Sequence, residues 1–306
     1  MVEAVLIDLF SLPANLQNNI QGVLGNLLGT LEKCSSIPAP SVYVMCCQRQ
    51  GSEKNGEPES LLPALGDFES LRRRVEVVTA LSTAAALYTI KQRLDEKDLS
   101  IIKVILPTSR KALMRIYIDH LFTAVYQFEF EDLQVASGCE NLQLAEPCSE
   151  GQTVPAEDVA LVQSEIQLYL ESLPSLRGEL TILRSSLIPD DIFLHGFTTR
   201  AGGISYIPTL SSCNLFSSSK RRDPQAVVKE NLRRLANAAG FNPESFHRVK
   251  VDHASAVCVV GRTEPDSYDG IVTDQQGVTI AAPGADCIPL LFADPVRRAC
   301  GAAHSG

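Results

Sequence analysis

Apolar residues follow two rhythms along the first part of the chain: short, mostly apolar runs and longer stretches at helical spacing. The short runs are residues 4–9, 41–47, 75–78 and 101–106, the last closed by Pro107. Their length and β-branched content predict buried strands. The helical stretches are 16–31, 82–94, 109–122 and 156–173. Ala86, Leu87, Ile90 and Leu94 share one face of the second; Leu113, Ile116, Tyr117 and Leu121 share one face of the third. Val162, Ile166, Tyr169 and Leu173 line the fourth, and Pro174 follows it, as expected past a helix end. Residues 50–59 are polar and contain glycine, so they read as a loop; 137–155 lack periodicity and read as a linker. Strands alternating with helices predict an α/β N-terminal domain over residues 1–136, with a small, mostly parallel sheet. Residues 137–175 are then a linker plus a helix assigned to neither side.

Past residue 175 the pattern changes to many short runs, at 179–183, 193–198, 247–251, 257–260, 270–273, 278–281, 288–293 and 299–303. One helix interrupts them. Asp223 fits its N-cap, Pro224 its first position and Gly240 its end. Val228, Leu232, Leu235 and Ala239 form its expected buried face, with Asn231, Arg233 and Arg234 toward water. Strands dominate, so residues 176–306 read as an α+β domain.

Composition narrows the function classes. A length of 306 residues fits two domains at roughly 100–200 residues each. A net charge of -9 with no long basic block excludes a nucleic-acid surface. The local run Lys220-Arg221-Arg222, after three serines, reads as a solvated loop. No apolar run approaches the ~20 residues of a membrane span. The 9 cysteines are odd in number and irregularly spaced, and Glu3 and Asp8 do not fit a secretory leader. The thiols are therefore expected to be reduced and the protein cytoplasmic. Cys34, Cys46 and Cys47 are expected to be buried small hydrophobes.

The first half holds no phosphate loop and no paired histidines. Its lone histidine, His120, reads as a structural residue on a helix. This half is expected to regulate, to stabilise or to dock protein partners. Candidate chemistry sits late in the chain, at His253, Cys287 and His304. Imidazole nitrogen and thiolate sulfur both suit zinc, and three protein ligands leave the open position of a catalytic site. Their separations match no compact zinc-finger pattern, so spacing alone leaves an isolated thiol and two unrelated histidines equally open. Cys287 could instead be a nucleophile with a histidine base. Arg200, in a Gly-containing turn, is a candidate for holding phosphate or carboxylate. Asp286, beside Cys287, is a candidate acid or base, or a partner for backbone groups.

Taken in order, several motifs resemble the YfiH/YlmD family, known as the laccase domain or multicopper polyphenol oxidase family. They are HGFTTRAGGIS (195–205), Asn214-Leu215, DPQAVVKENLRRLA (223–236), His253, YDGIVT (268–273), GADCIPLLFADP (284–295) and GAAHSG (301–306). LYTIKQRLDEKDLS (87–100) and FEFEDLQV (128–135) extend the resemblance to the vertebrate members, across the whole chain. The resemblance implies zinc on His253, Cys287 and His304. It also implies phosphorolysis of adenosine, inosine and guanosine, cleavage of methylthioadenosine, and adenosine deamination, with purine nucleosides and phosphate as partners. Copper fits less well, since a multicopper centre needs many more histidines than the 5 present. Family members continue past the last ligand with a Gly-Trp-Arg/Lys-Gly turn. The chain is therefore expected to be a C-terminally truncated laccase-like YfiH-type domain of impaired activity, behind its α/β domain. An amidohydrolase or deamidase with a cysteine nucleophile, and a non-catalytic regulatory protein, are the rival readings.

Overall fold

The computed structural model describes residues 2–10, 39–48, 74–133 and 155–306. The helix expected over 16–31, the loop at 50–59, nearly all of the 137–155 linker and Cys34 lie outside the described residues. The chain divides into two compact units, residues 1–174 with 216–228, and residues 175–215 with 229–306.

The first unit is α/β. Strands β1 (Ala4–Asp8), β2 (Ser41–Cys47), β3 (Val75–Ala80), β4 (Ile101–Leu106) and β5 (Gln127–Asp132) form one sheet in the order β3-β2-β1-β4-β5. Every pairing is parallel. The central strand β1 is buried along its whole length, which is why it reads as a nearly continuous apolar run. Strand β5 alternates apolar and acidic residues at the sheet edge, a pattern with no continuous run to mark it. Cys46 and Cys47 correct an expectation. They occupy the open end of β2, where Cys46 is half-buried and Cys47 exposed.

Helix α1 (Thr83–Glu96) starts where Ser82 accepts the Ala85 N–H, a side-chain N-cap. Helix α2 (Lys111–Leu121) follows a 3-10 turn at Thr108–Arg110. That turn uses up the first predicted helical residues and rotates the stripe, so Met114, Tyr117, Ile118 and Leu121 are buried and Leu113 and Ile116 only partly so. Helix α3 (Ala156–Ser172) buries Val162, Ile166 and Leu170 and packs against α1 and α2. Glu165 fixes it there, accepting the Ala84 N–H at 2.8 Å and the Tyr117 hydroxyl at 2.8 Å. His120 is structural as expected, its ring between the Ile116 carbonyl and Gln163.

Lys91, on α1, is fully buried, and it donates to Asp95 at 2.8 Å. Asp95 also accepts from Arg222 at 2.8 Å and from the Tyr126 hydroxyl. Arg222 reaches Asp98 as well, at 2.6 Å. The basic run thus gives one arginine to an ion-pair network rather than to solvent. Burial pulls the Lys91 ammonium below its ordinary range, and Asp95 opposes that shift.

The second unit is α+β. Strands β6 (Ile182–Leu183) and β7 (Phe197–Thr198) form a short antiparallel pair. The longer strands expected there do not form. Leu183 and Phe197 remain 55% and 46% exposed, so no buried face rewards further pairing. Helix α4 (Gln225–Ala239), whose residues from 229 onward belong to this unit, ends as expected at Gly240, whose φ of +86° suits glycine and whose N–H returns to the Ala236 carbonyl. Its polar face holds the main correction. Asn231 is buried, receives the Ile204 N–H, and donates to Ser205 Oγ and the Asn214 carbonyl. Those bonds satisfy loop groups, so the amide points inward.

Strands β8 (Phe246–Arg248) and β11 (Thr279–Ala281) pair in parallel. Strands β9 (Val257–Val259), β10 (Gly270–Thr273), β12 (Ile288–Asp294) and β13 (Ala299–Ser305) form a sheet in the order β12-β13-β10-β9. Val249, Cys258, Tyr268, Ile271 and Ala302 are its buried cluster. Among the described residues no helix is long and apolar enough to cross a membrane.

Candidate metal centre

The register of the sheet builds the site. Gly270 pairs with Ala303 across the antiparallel β10–β13 ladder, so the preceding residue, Asp269, lies beside His304. The His304 N–H donates to the Asp269 carbonyl at 2.7 Å, which continues that ladder by one step. On the other side β13 pairs with β12, and Ile288 opposite Ser305 brings Cys287 to the same end of the sheet. His253 arrives on the loop after the Lys250–Tyr268 bridge. Ligand atoms of His253, Cys287 and His304 then lie within 4.8 Å of one another. The imidazoles of His253 and His304 meet edge to face, with centroids 4.9 Å apart.

Two soft-to-borderline nitrogens and one sulfur converging this closely could hold a metal ion. Gly306 also borders this space. A Cβ built there would stand 2.7 Å from His253 Nδ1 and 3.0 Å from Cys287 Sγ, so a side chain at that point would press on both. His253 is the most open of the three, and it sits at φ +54°, a left-handed conformation uncommon outside glycine.

Asp269 anchors the arrangement, and periodicity gave no sign of it. Its carboxylate receives the N–H groups of Asp252 at 3.1 Å, His253 at 3.2 Å and Ala254 at 2.9 Å, and it faces His304 Nδ1 at 2.8 Å. These donors, the Ala254 amide foremost, hold its carboxyl down to about 2. The signal available in the sequence was the Asp-Gly pair opening a strand within YDGIVT.

Asp286 is exposed, and its carboxylate stands 3.7 Å from Cys287 Sγ. Desolvation first, then this carboxylate, pushes the Cys287 thiol up. Arg200 is not part of the converging group. Its Nε donates to the Ser211 carbonyl at 3.0 Å, and its Nη2 to the carbonyls of Pro208 and Thr209. The guanidinium is thereby fixed on its own loop.

Residues 194–306 match the family model described as multi-copper polyphenol oxidoreductase laccase. The human protein named purine nucleoside phosphorylase LACC1 is 55% identical over 307 aligned residues, covering 100% of this chain and 70% of that protein. The Deinococcus radiodurans purine nucleoside phosphorylase is 44% identical over 114 residues, covering 37% of this chain and 43% of that one. The crystal structure of YlmD from Geobacillus stearothermophilus is similar at 25% identity and a TM-score of 0.33, covering 44% of this chain and 50% of that one. With the late, site-bearing part matched to the laccase-like model and the whole chain matched to the human protein, this chain belongs to the laccase-domain family that includes purine nucleoside phosphorylase LACC1.

Proposed function

We propose that the chain is a zinc-dependent purine nucleoside phosphorylase, with the metal held by His253, Cys287 and His304. One observation carries the reading: these three side chains, far apart in sequence, converge within 4.8 Å in a chain whose relatives bear that activity in their names. The substrates are adenosine, inosine, guanosine and methylthioadenosine, with phosphate as co-substrate. Adenosine deamination is a second reaction of the same site. Zinc bound there supplies Lewis acidity and water that ionises near neutral pH.

In phosphorolysis a phosphate oxygen bonds to ribose C1′ while the C1′–N9 bond breaks, and the leaving purine takes up a proton. In deamination water adds at C6 and ammonia departs. Asp286 is the candidate proton carrier for both leaving groups, since its exposed carboxylate exchanges with solvent beside Cys287. Arg200 is the candidate phosphate holder. Its carbonyl contacts keep the charge in place, and phosphate would meet the edge of the guanidinium they leave. The thiol-nucleophile reading draws on the same three side chains, and the metal content of the protein separates the two.

Elemental analysis joined to a nucleoside panel tests the proposal. About one zinc per chain is expected, with phosphate-dependent release of free purine. Cys287→Ala should lose most of the zinc. Full zinc retention by that variant, or turnover indifferent to phosphate, would overturn the assignment.

A further inference from the structure

The two histidines of the centre come from different elements, a loop and a strand, and something must hold them in one geometry. Both lead to the same side chain. Asp269 receives three consecutive main-chain N–H groups, from residues 252 to 254, and it faces His304 Nδ1 at 2.8 Å. Its side chain is 5% exposed and that of His304 6%, so water does not compete for this contact.

We infer that Asp269 is the positioning residue of the centre, a single carboxylate that fixes the tautomer of His304 and the backbone turn of His253. The inference rests on the metal reading above for what the placed histidines then do.

The chemistry is constrained on the His304 side. An ionised carboxylate only accepts hydrogen bonds, so the imidazole nitrogen facing it must carry the hydrogen. A neutral ring protonated at Nδ1 keeps its lone pair on Nε2, the state needed to ligate through that atom. Carboxylate support of this kind fixes ring orientation and raises ligand basicity. The contact spans 35 residues of sequence and exists because β10 and β13 pair in this register.

The His253 side is a backbone matter. At φ +54° a histidine sits in a sparsely populated region that persists where surroundings enforce it. Successive N–H groups turned toward one anion form a concavity that enforces such a turn. Here the anion is built in: the Asp269 carboxylate accepts on both sides of His253 as well as from its own N–H. Removing it would release the loop and the ring together.

Imidazole 15N NMR of the metal-free wild-type protein, above the titration range of the ring, reads the tautomer directly. His304 is expected as the Nδ1–H form, and an Nε2–H form would overturn the inference. A second arm uses Asp269→Asn, which keeps the volume but cannot accept four donors. Zinc affinity, measured by competition with a chromophoric chelator on the folded variant, should fall about 10–100-fold, and the cobalt(II) absorption spectrum should change. Affinity within about twofold of wild type, against that 10–100-fold expectation, would overturn the inference. If the variant does not fold, the wild-type tautomer still decides. Wild-type protein that binds no zinc in the same titration would sink the metal reading, while the tautomer would still report on Asp269.

Discussion

Asp95 in the first unit and Asp269 in the second are buried alike, each with a side chain 5% exposed, yet they spend their charge on different donors. Asp95 takes the Lys91 ammonium, the Arg222 guanidinium and the Tyr126 hydroxyl. Those groups bring two positive charges to its one, and Lys91 and Tyr126 are themselves buried. Asp269 takes three main-chain amides and one imidazole. The imidazole has a second nitrogen, and the amides belong to the loop that carries another candidate ligand. Burial therefore does not separate a structural carboxylate from one that serves a site. What separates them is whether the donors have a further valence to present once the carboxylate has been satisfied.

Removing Asp95 should have the largest effect on stability. Asp95→Ala would take from Lys91, fully buried, and from Arg222 the carboxylate they share, with Asp98 still paired to Arg222. Breaking a buried pair in this way costs about 3–5 kcal/mol. Urea unfolding of the variant should show that loss, while the zinc affinity of the folded protein is unchanged. A cost under about 1 kcal/mol, the level of a surface pair, would mean that water reaches the network and that the contrast with Asp269 is overstated.

Lys91→Met tests the same network from its cation side and should do much less. Methionine fills a comparable volume, and Asp95 keeps Arg222 and Tyr126. Burial disfavours the ammonium, so its removal relieves a cost as well as losing a bond. Asp95 stays paired with Arg222, so no buried carboxylate is left uncompensated, and a change within about 1 kcal/mol, the worth of one hydrogen bond, is expected. A loss as large as that of Asp95→Ala would show that Lys91, not Arg222, is the essential partner.

These contrasts also mark what was legible in the sequence. Strands β1, β2 and β4 announce themselves because a strand covered on both faces needs a nearly continuous apolar run. Strand β5 does not, because an edge strand alternates and carries three acidic residues. The end of α4 was readable from Gly240, since only local backbone geometry is involved. Asn231 was not, because a polar residue on a helix reads as outward until the loops it satisfies are known. His253, Cys287 and His304 stood out by residue type, and resemblance to a family joined them as candidate ligands, since their separations alone carry no signal. Asp269 was missed for the same reason: its role depends on the register of β10 against β13, which periodicity does not encode.

The smallest effect belongs to a third carboxylate, which has amide donors but no histidine. Glu3 accepts the Ser100 N–H at 2.7 Å and the Ile101 N–H at 3.0 Å, where β1 and β4 begin. Those amides, Ser100 first, pull its carboxyl below the ordinary range. A carboxyl lowered in the folded state stabilises the fold above its unfolded pKa, and that contribution fades as pH falls through the folded value. Glu3→Gln keeps one acceptor oxygen and removes the charge, so it should cost about 0.5–1 kcal/mol at neutral pH. The difference from wild type should vanish in acid, where wild-type Glu3 is itself protonated. Zinc affinity should not move, because no donor of Glu3 leads to a ligand. A variant as stable as wild type at neutral pH would show that the amide contacts add nothing to the fold. A variant with altered zinc affinity would break the distinction drawn between carboxylates that close a network and the one that positions a site.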